Sequence, residues 1–130
     1  LIFIDNNKFK VINDQYGHLA GDAVLKEMAS RLKLSVRQED FIARLGGDEF
    51  AIILHAIHHA DHLQAIAEGL LASCKEPLDF NGDVIHFGFS LGIAFSQFAE
   101  NPEDLVMQAD QAMYKAKNLN PHWFVYKPEI

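Results

Sequence analysis

Two apolar runs, Phe41 to Leu45 and Phe50 to Leu54, are separated by only four residues, Gly46-Gly47-Asp48-Glu49. Glycines at so short a junction supply the backbone angles of a tight reversal, so the stretch reads as strand, turn, strand. A further apolar run, Leu1-Ile2-Phe3-Ile4, has the length and continuity of a strand buried on both faces, and it ends abruptly at Asp5. A chain seldom begins inside its own core, so this start is expected to be a cut from something longer.

Helical periodicity fills much of the rest. Asn6 to Tyr16 places Phe9, Ile12 and Tyr16 along one side, and Gly17 stops it. Gly21 to Val36 is strongly amphipathic, with Val24, Leu25, Met28, Leu32 and Val36 on one face and Asp22 near the positive end of its dipole. A third helix is predicted over Ala60 to Lys75. Pro77 and Asn81-Gly82-Asp83 punctuate the next stretch, and Val84 to Ser96 supplies one or two strands. Asn101-Pro102-Glu103 opens a last helix running to about Lys117, with the proline suited to its first turn. Trp123 to Tyr126 is a final short strand. The order β-α-α-β-β-α-β-β-α-β has no internal repeat or linker. It predicts one α/β domain over residues 1–130, an α+β sandwich of ferredoxin-like or palm type with helices flanking a mostly antiparallel sheet.

Charge narrows the partners. The chain of 130 residues has a formal charge of −7, with all three arginines (Arg31, Arg37 and Arg44) before residue 50. Residues 1–50 are close to neutral, whereas residues 51–130 hold only 4 of the 11 basic groups against 10 of the 18 acidic ones. That balance argues against a general binder of nucleic acid polymers and directs the search for an anion site to the first part. No apolar run reaches the ~20 residues of a membrane span, so no membrane contact is expected from this segment. The lone Cys74 excludes an internal disulfide and suits a reducing cytoplasm.

Three acids occupy unusual places: Asp5 at a strand end, and Asp48 and Glu49 at a hairpin tip. If the strands are neighbours, the carboxylates converge, and like charges need a cation to compensate them. Mg²⁺ is the natural candidate, because it takes a few carboxylates and leaves other positions for phosphates. The glycines would let a flat base or a phosphate approach the backbone. The bland alternative is a polar surface turn and a helix cap.

The wider pattern decides between them. Gly46-Gly47-Asp48-Glu49-Phe50 spells the GGDEF motif of diguanylate cyclases. Asp5 to Asp14, followed by Tyr16-Gly17-His18 and Gly21-Asp22, resembles the family's Asp-x-Asp-x-Phe-Lys-x-Ile-Asn-Asp segment with its trailing Gly-His-x-x-Gly-Asp. Ala109 to Lys117 resembles its last helix, and the spacings between these blocks agree. The resemblance implies condensation of two GTP molecules into cyclic di-GMP with release of two pyrophosphates, at a homodimer interface. It implies two Mg²⁺ (or Mn²⁺) ions per site, held by Asp5, Asp48 and the Asn6 carbonyl, with Glu49 on metal or handling the hydroxyl proton. Asp48 and Glu49 are then the catalytic pair. Asn13 and Asp22 match the guanine readers. Lys10 and Lys117 match phosphate-side positions, with backbone groups around Phe9, Gly46 and Gly47 close to substrate. Arg37 and Asp40 match an inhibitory motif that binds the product, cyclic di-GMP.

Departures from the family pattern are equally specific. Asn7 stands where aspartate is commonest, and Pro121 replaces an arginine that grips triphosphate. Residues 60 to 75 lack the second arginine that often completes the product site. The helix that usually precedes the first strand is absent, which is expected to leave one sheet face uncovered. These departures sustain an alternative, a catalytically weak or inactive domain that binds cyclic di-GMP or GTP for regulation within a larger signalling protein. His55, His58, His59 and His62 sit at and after a strand end, and their spacing lacks a carboxylate-completed Zn pattern, so they are not expected to form a metal site. Phe87, Phe89, Phe95 and Phe98 are expected in the core, and Cys74 as a small buried hydrophobe.

Overall fold

The computed structural model describes residues 1–55, 57 and 60–127. The described residues form seven strands and four α-helices. Strand β1 (Ile2–Asn6) is buried along its whole length and forms the middle of a five-stranded sheet. It pairs antiparallel on one side with β3 (Glu49–Ile53), which carries β2 (Phe41–Gly46) at the edge. On its other side it pairs antiparallel with β6 (Phe89–Ile93), and β6 pairs in parallel with the far edge strand β7 (Trp123–Val125). The fold is therefore an α/β sandwich on a mixed, mostly antiparallel sheet.

Period-two alternation distributes the strands between two cores. Ile2, Ile4, Phe50, Ile52, Phe89, Leu91 and Ile93 face a large core shared with helix α2 (His18–Ser35) through Val24, Leu25, Met28 and Leu32, and with helix α3 (Ala60–Ala72) through Leu63, Ala67 and Leu70. Phe3, Ala51 and Ala94 face the other way, onto Ala109 and Met113 of helix α4 (Pro102–Ala116). Asn101 caps α4, its side chain accepting a hydrogen bond from the Asp104 N–H at 2.8 Å, with Pro102 following as expected. Helix α4 covers β6, β7 and part of β1 but stops short of the β2 edge. There Phe41, Leu45 and Ile53 remain exposed around a groove of about 900 Å³.

The closest packing in the second core is at Gly92. A Cβ there would lie 2.1 Å from the Met113 backbone nitrogen and 2.4 Å from the Ala109 carbonyl. All of these near atoms are backbone of α4, so no flexible atom can yield. Gly92→Ala is therefore expected to lose about 3 kcal/mol of stability, seen as a melting temperature lower by about 10 °C.

Several boundaries differ from the expectation. Helix α1 spans Phe9–Tyr16 and not Asn6 onward, because Asn6 stays in β1 opposite Phe89 and its Oδ1 accepts from the Lys8 N–H at 3.0 Å. Helix α2 begins at His18, since Gly17 alone, at φ 92°, breaks it from α1. Helix α3 gives way after Ala72 to hydrogen-bonded turns through Lys75. The predicted strand region from Val84 divides, and an unpredicted ribbon appears: β4 (Leu78–Phe80) and β5 (Asp83–Ile85) pair around Asn81 and Gly82, both at positive φ. Phe87 and Phe89 are core residues and Phe95 packs against the core, but Phe98 is 44% exposed in a short 3₁₀ turn. Cys74 is half-buried against the core, and burial pushes its thiol up.

Candidate functional site

The hairpin tip is built by its glycines. Gly46 and Gly47 take φ of 144° and 52°, and a register shift between Arg44 and Gly46 bulges β2 just before the turn. Arg44 braces the tip from below, its Nε and Nη2 donating to the Gly47 carbonyl at 3.2 and 2.8 Å. Sequence reading counted this arginine only as a charge. The turn delivers Glu49 directly opposite Asp5 across the β1–β3 ladder. Opposed residues of an antiparallel pair project to the same face, so the convergence of Asp5 and Glu49 follows from register alone.

Asp5 is only 7% exposed, and its Oδ1 is buried with no hydrogen-bond donor. Burial, the hydrogen bond with Asp5, the Asp5 charge and, more weakly, Glu49 together push Asp48 up to about 6. The other Asp5 oxygen, Oδ2, binds the Lys117 ammonium at 2.7 Å. Lys117 arrives from the C-terminal end of α4, and the Asp5 contact raises its pKa. This lysine, matched by sequence to a phosphate position, thus serves as counter-ion to the buried acid.

The donor set fits a hard divalent cation. Among the described residues no three His, Cys, Asp or Glu side chains form a ready cage. Mg²⁺ rarely uses one, however, and commonly takes one or two carboxylates with the remaining positions left to water and phosphate. The unpartnered Asp5 Oδ1 beside the Asp48 carboxyl is the place where such an ion would relieve an electrostatic cost. Asn6 is buried next to Asp5, its amide nitrogen 3.4 Å from Met28 Sδ. Asn7, where aspartate is commonest, receives the Ser90 hydroxyl on its Oδ1 and donates its backbone N–H to the Gly88 carbonyl at 2.9 Å.

A cavity of about 430 Å³ opens beside these acids, lined by Asp5 to Lys8, His86 to Gly88, Lys117 and His122. Helix α1 starts at its rim with no side-chain cap, leaving N–H groups of the first turn for an anion. Lys10 lies exposed on that turn and does not line the cavity; Lys8 does. His86 and His122 escaped the sequence reading because nothing in their spacing marks them.

The matched base readers sit one helix turn away. Asn13 Oδ1 is buried without a donor, and a Cβ on Gly21 would fall 1.8 Å from it and 3.4 Å from the Phe9 ring. Gly21 is therefore the gap that admits the Asn13 amide and brings it beside Asp22. Asp22 is exposed and shares a shallow depression of about 280 Å³ with Arg44 and Phe50. An unsatisfied acceptor and a neighbouring carboxylate are suited to a ligand edge that only donates.

Arg37 and Asp40 hold one another. The guanidinium donates to Asp40 Oδ1 at 3.1 Å and Oδ2 at 3.2 Å, and to the His55 carbonyl at 2.6 Å. Burial alone would raise the Asp40 carboxyl, but the hydrogen bonds from Arg37 and from the His55 N–H hold it below its ordinary range. The pair lies at the far end of β2 from the hairpin tip, apart from the acids. Of the four clustered histidines, His58 and His59 lie outside the described residues.

Comparison with known proteins identifies close relatives. The family described as "Diguanylate cyclase, GGDEF domain" matches residues 1–121. The chain is 40% identical over 119 residues to the diguanylate cyclase TpbB of Pseudomonas aeruginosa, covering 90% of this chain and 27% of TpbB. It is 44% identical over 120 residues to YhcK of Bacillus subtilis, covering 90% of this chain and 33% of that protein. The chain thus spans about a quarter to a third of the length of these curated relatives. The crystal structure of the TpbB GGDEF domain superposes with a TM-score of 0.89 at 36% identity, covering 98% of this chain and 81% of that one. The GGDEF domain of DgcB from Caulobacter crescentus, solved in complex with c-di-GMP, superposes at 0.84 with 26% identity over 96% of this chain and 74% of that one.

Proposed function

The chain belongs to the GGDEF family of diguanylate cyclase domains, and on that premise we propose that it joins two molecules of GTP into cyclic di-GMP. The observation that carries this reading is the buried Asp5 carboxylate, orphaned at Oδ1, beside an Asp48 carboxyl raised to about 6. Asp5 has a donor only at Oδ2, from Lys117, and none at Oδ1. The two carboxyls are held together at the end of the central strand, where a charged ligand can reach them.

In the proposed reaction the 3′-hydroxyl oxygen of one GTP attacks the α-phosphorus of the other. The new phosphodiester bond forms as the bond to pyrophosphate breaks, and the hydroxyl proton passes to the Asp48/Glu49 pair. The pair is the unit of proton transfer, because neighbouring carboxyls titrate together. When bound, Mg²⁺ or Mn²⁺ would be held by Asp5, Asp48 and the Asn6 carbonyl, and would supply charge neutralisation for the α-phosphate and the leaving group. Asn13 and Asp22 would accept from the guanine N1–H and N2–H₂, donors that adenine lacks. Lys117 pairs with Asp5 and so neutralises part of the charge of the acids in the free protein.

Each chain carries one such site, and the product is made of two nucleotides that attack one another. Two copies must therefore face each other, and the rate should depend on their encounter. With GTP and Mg²⁺ in excess and protein well below its dimerisation constant, the initial rate of cyclic di-GMP formation is expected to rise with the square of protein concentration. First-order dependence at all concentrations would refute catalysis between two chains. The exposed Arg37 at the far end of β2 favours a second role, binding the product. Arg37→Ala is expected to weaken cyclic di-GMP binding while leaving GTP binding intact.

A further inference from the structure

The cavity next to Asp5 has a polar wall that neither the motif residues nor the resemblance assigns. It is formed by His122 after α4, by His86 and Gly88 ahead of β6, and by Lys8 at the mouth of α1. Its chemistry is unbalanced. Lys117, the cation nearest the acids, is already committed to Asp5 at 2.7 Å. The Asn7 N–H is spent on the Gly88 carbonyl, and the Lys8 N–H on Asn6 Oδ1. The arginine expected at position 121 is a proline. A polyphosphate entering here meets Lys8, the open first turn of α1 and two imidazoles.

His122 is held at two points. Its Nδ1 lies 3.3 Å from the carbonyl of Ala116, the last residue of α4, and its own carbonyl accepts the Leu91 N–H at 2.9 Å. Ring and backbone are thus tied to two different elements, so the imidazole has a set direction. With Nδ1 donating to Ala116, Nε2 is the nitrogen left for the cavity, and an imidazole carrying both protons donates from each. The charged groups facing it are Asp5 from β1, Lys8 from the following turn, Lys117 from the end of α4 and the titratable His86 ahead of β6.

We propose that His122, with His86 lining the same cavity, binds the β- and γ-phosphates of the nucleotide. This rests on the reading of the site as a GTP site, but not on turnover. It makes His122 a binding residue for the leaving pyrophosphate, so its loss should act on substrate affinity through the phosphates and not through the base.

The test measures binding of GTP, GMP and inorganic tripolyphosphate by calorimetry, with His122→Phe and His122→Arg compared with the unaltered protein. Phenylalanine keeps the ring volume and loses both N–H groups, while arginine restores a donor. His122→Phe is expected to bind GTP and tripolyphosphate about tenfold more weakly, with GMP unchanged and His122→Arg close to the unaltered protein. Equal tripolyphosphate affinity in all three would overturn the assignment, as would a loss that falls equally on GMP. If the unaltered protein binds tripolyphosphate through His122 but shows no preference for GTP over ATP, the guanine reading fails and the phosphate assignment stands. Should it bind none of the three, both fail. Near-ultraviolet circular dichroism of each variant separates lost binding from lost fold.

Discussion

Asp48→Asn is expected to abolish measurable cyclic di-GMP formation, a fall of at least about 10³-fold, and at the same time to make the metal-free protein more stable at neutral pH. The two effects share one cause. Burial and the neighbouring Asp5 raise the Asp48 carboxyl to about 6, against an ordinary value of 3.8. The folded protein therefore holds this proton through a range in which the unfolded chain has released it. The contribution of Asp48 is fully favourable below about pH 4, declines as pH rises towards 6, and is lost above that. Asparagine does not titrate, so the variant's advantage should grow across the same window and level off. Asp48 is partly open to solvent, and after allowance for screening the gain is about 1 kcal/mol. Urea unfolding in EDTA at pH 4, 5, 6 and 8 measures it. A variant less stable at pH 8 would mean that Asp48 is a structural residue, and the role given to it here would fall.

The second large effect concerns the base. Asn13 Oδ1 is buried over Gly21 with no donor, a cost carried by the free protein. Leucine has nearly the same shape and nothing to satisfy. Asn13→Leu is expected to leave stability unchanged or slightly raised, while kcat/KM for GTP falls about 10²-fold and that for ATP stays where it was. The ratio of the two nucleotides is the informative quantity, because a general loss of activity would lower both. If Asn13→Leu reduces GTP and ATP equally, the amide is not reading guanine and the site at the start of α2 needs another explanation.

Much of this arrangement was legible before any coordinates, and the reasons are local. The Leu1–Ile4 run and the stripe Val24, Leu25, Met28 and Leu32 have single readings, and both became core elements. The hairpin followed from two glycines that take positive φ. Where reading failed, a competing interaction was at work. Asn6 looked like a helix start, yet its backbone is worth more to β1, opposite Phe89. The β4–β5 ribbon was missed because three-residue strands such as Leu78–Phe80 are too short for a period to show, although Asn81-Gly82 carried the turn signal. The salt bridge from Lys117 to Asp5 joins residues at opposite ends of the chain. It depends on where α4 ends over the sheet, which no local pattern encodes. The same holds for His86 and His122, which become neighbours of the acids only because β6 and the segment before β7 flank β1 on one side.

The central claim is that the acids at the end of β1 and the hairpin tip make a phosphodiester from two guanosine nucleotides. It is tested most directly by incubating concentrated protein with GTP and Mg²⁺ and identifying the nucleotide product by mass spectrometry while pyrophosphate is counted. The account predicts cyclic di-GMP with two pyrophosphates released per molecule, and none when EDTA is present or Asp48 is asparagine. GTP that is bound but recovered unchanged at every protein concentration would contradict it, leaving a nucleotide-binding domain without the reaction.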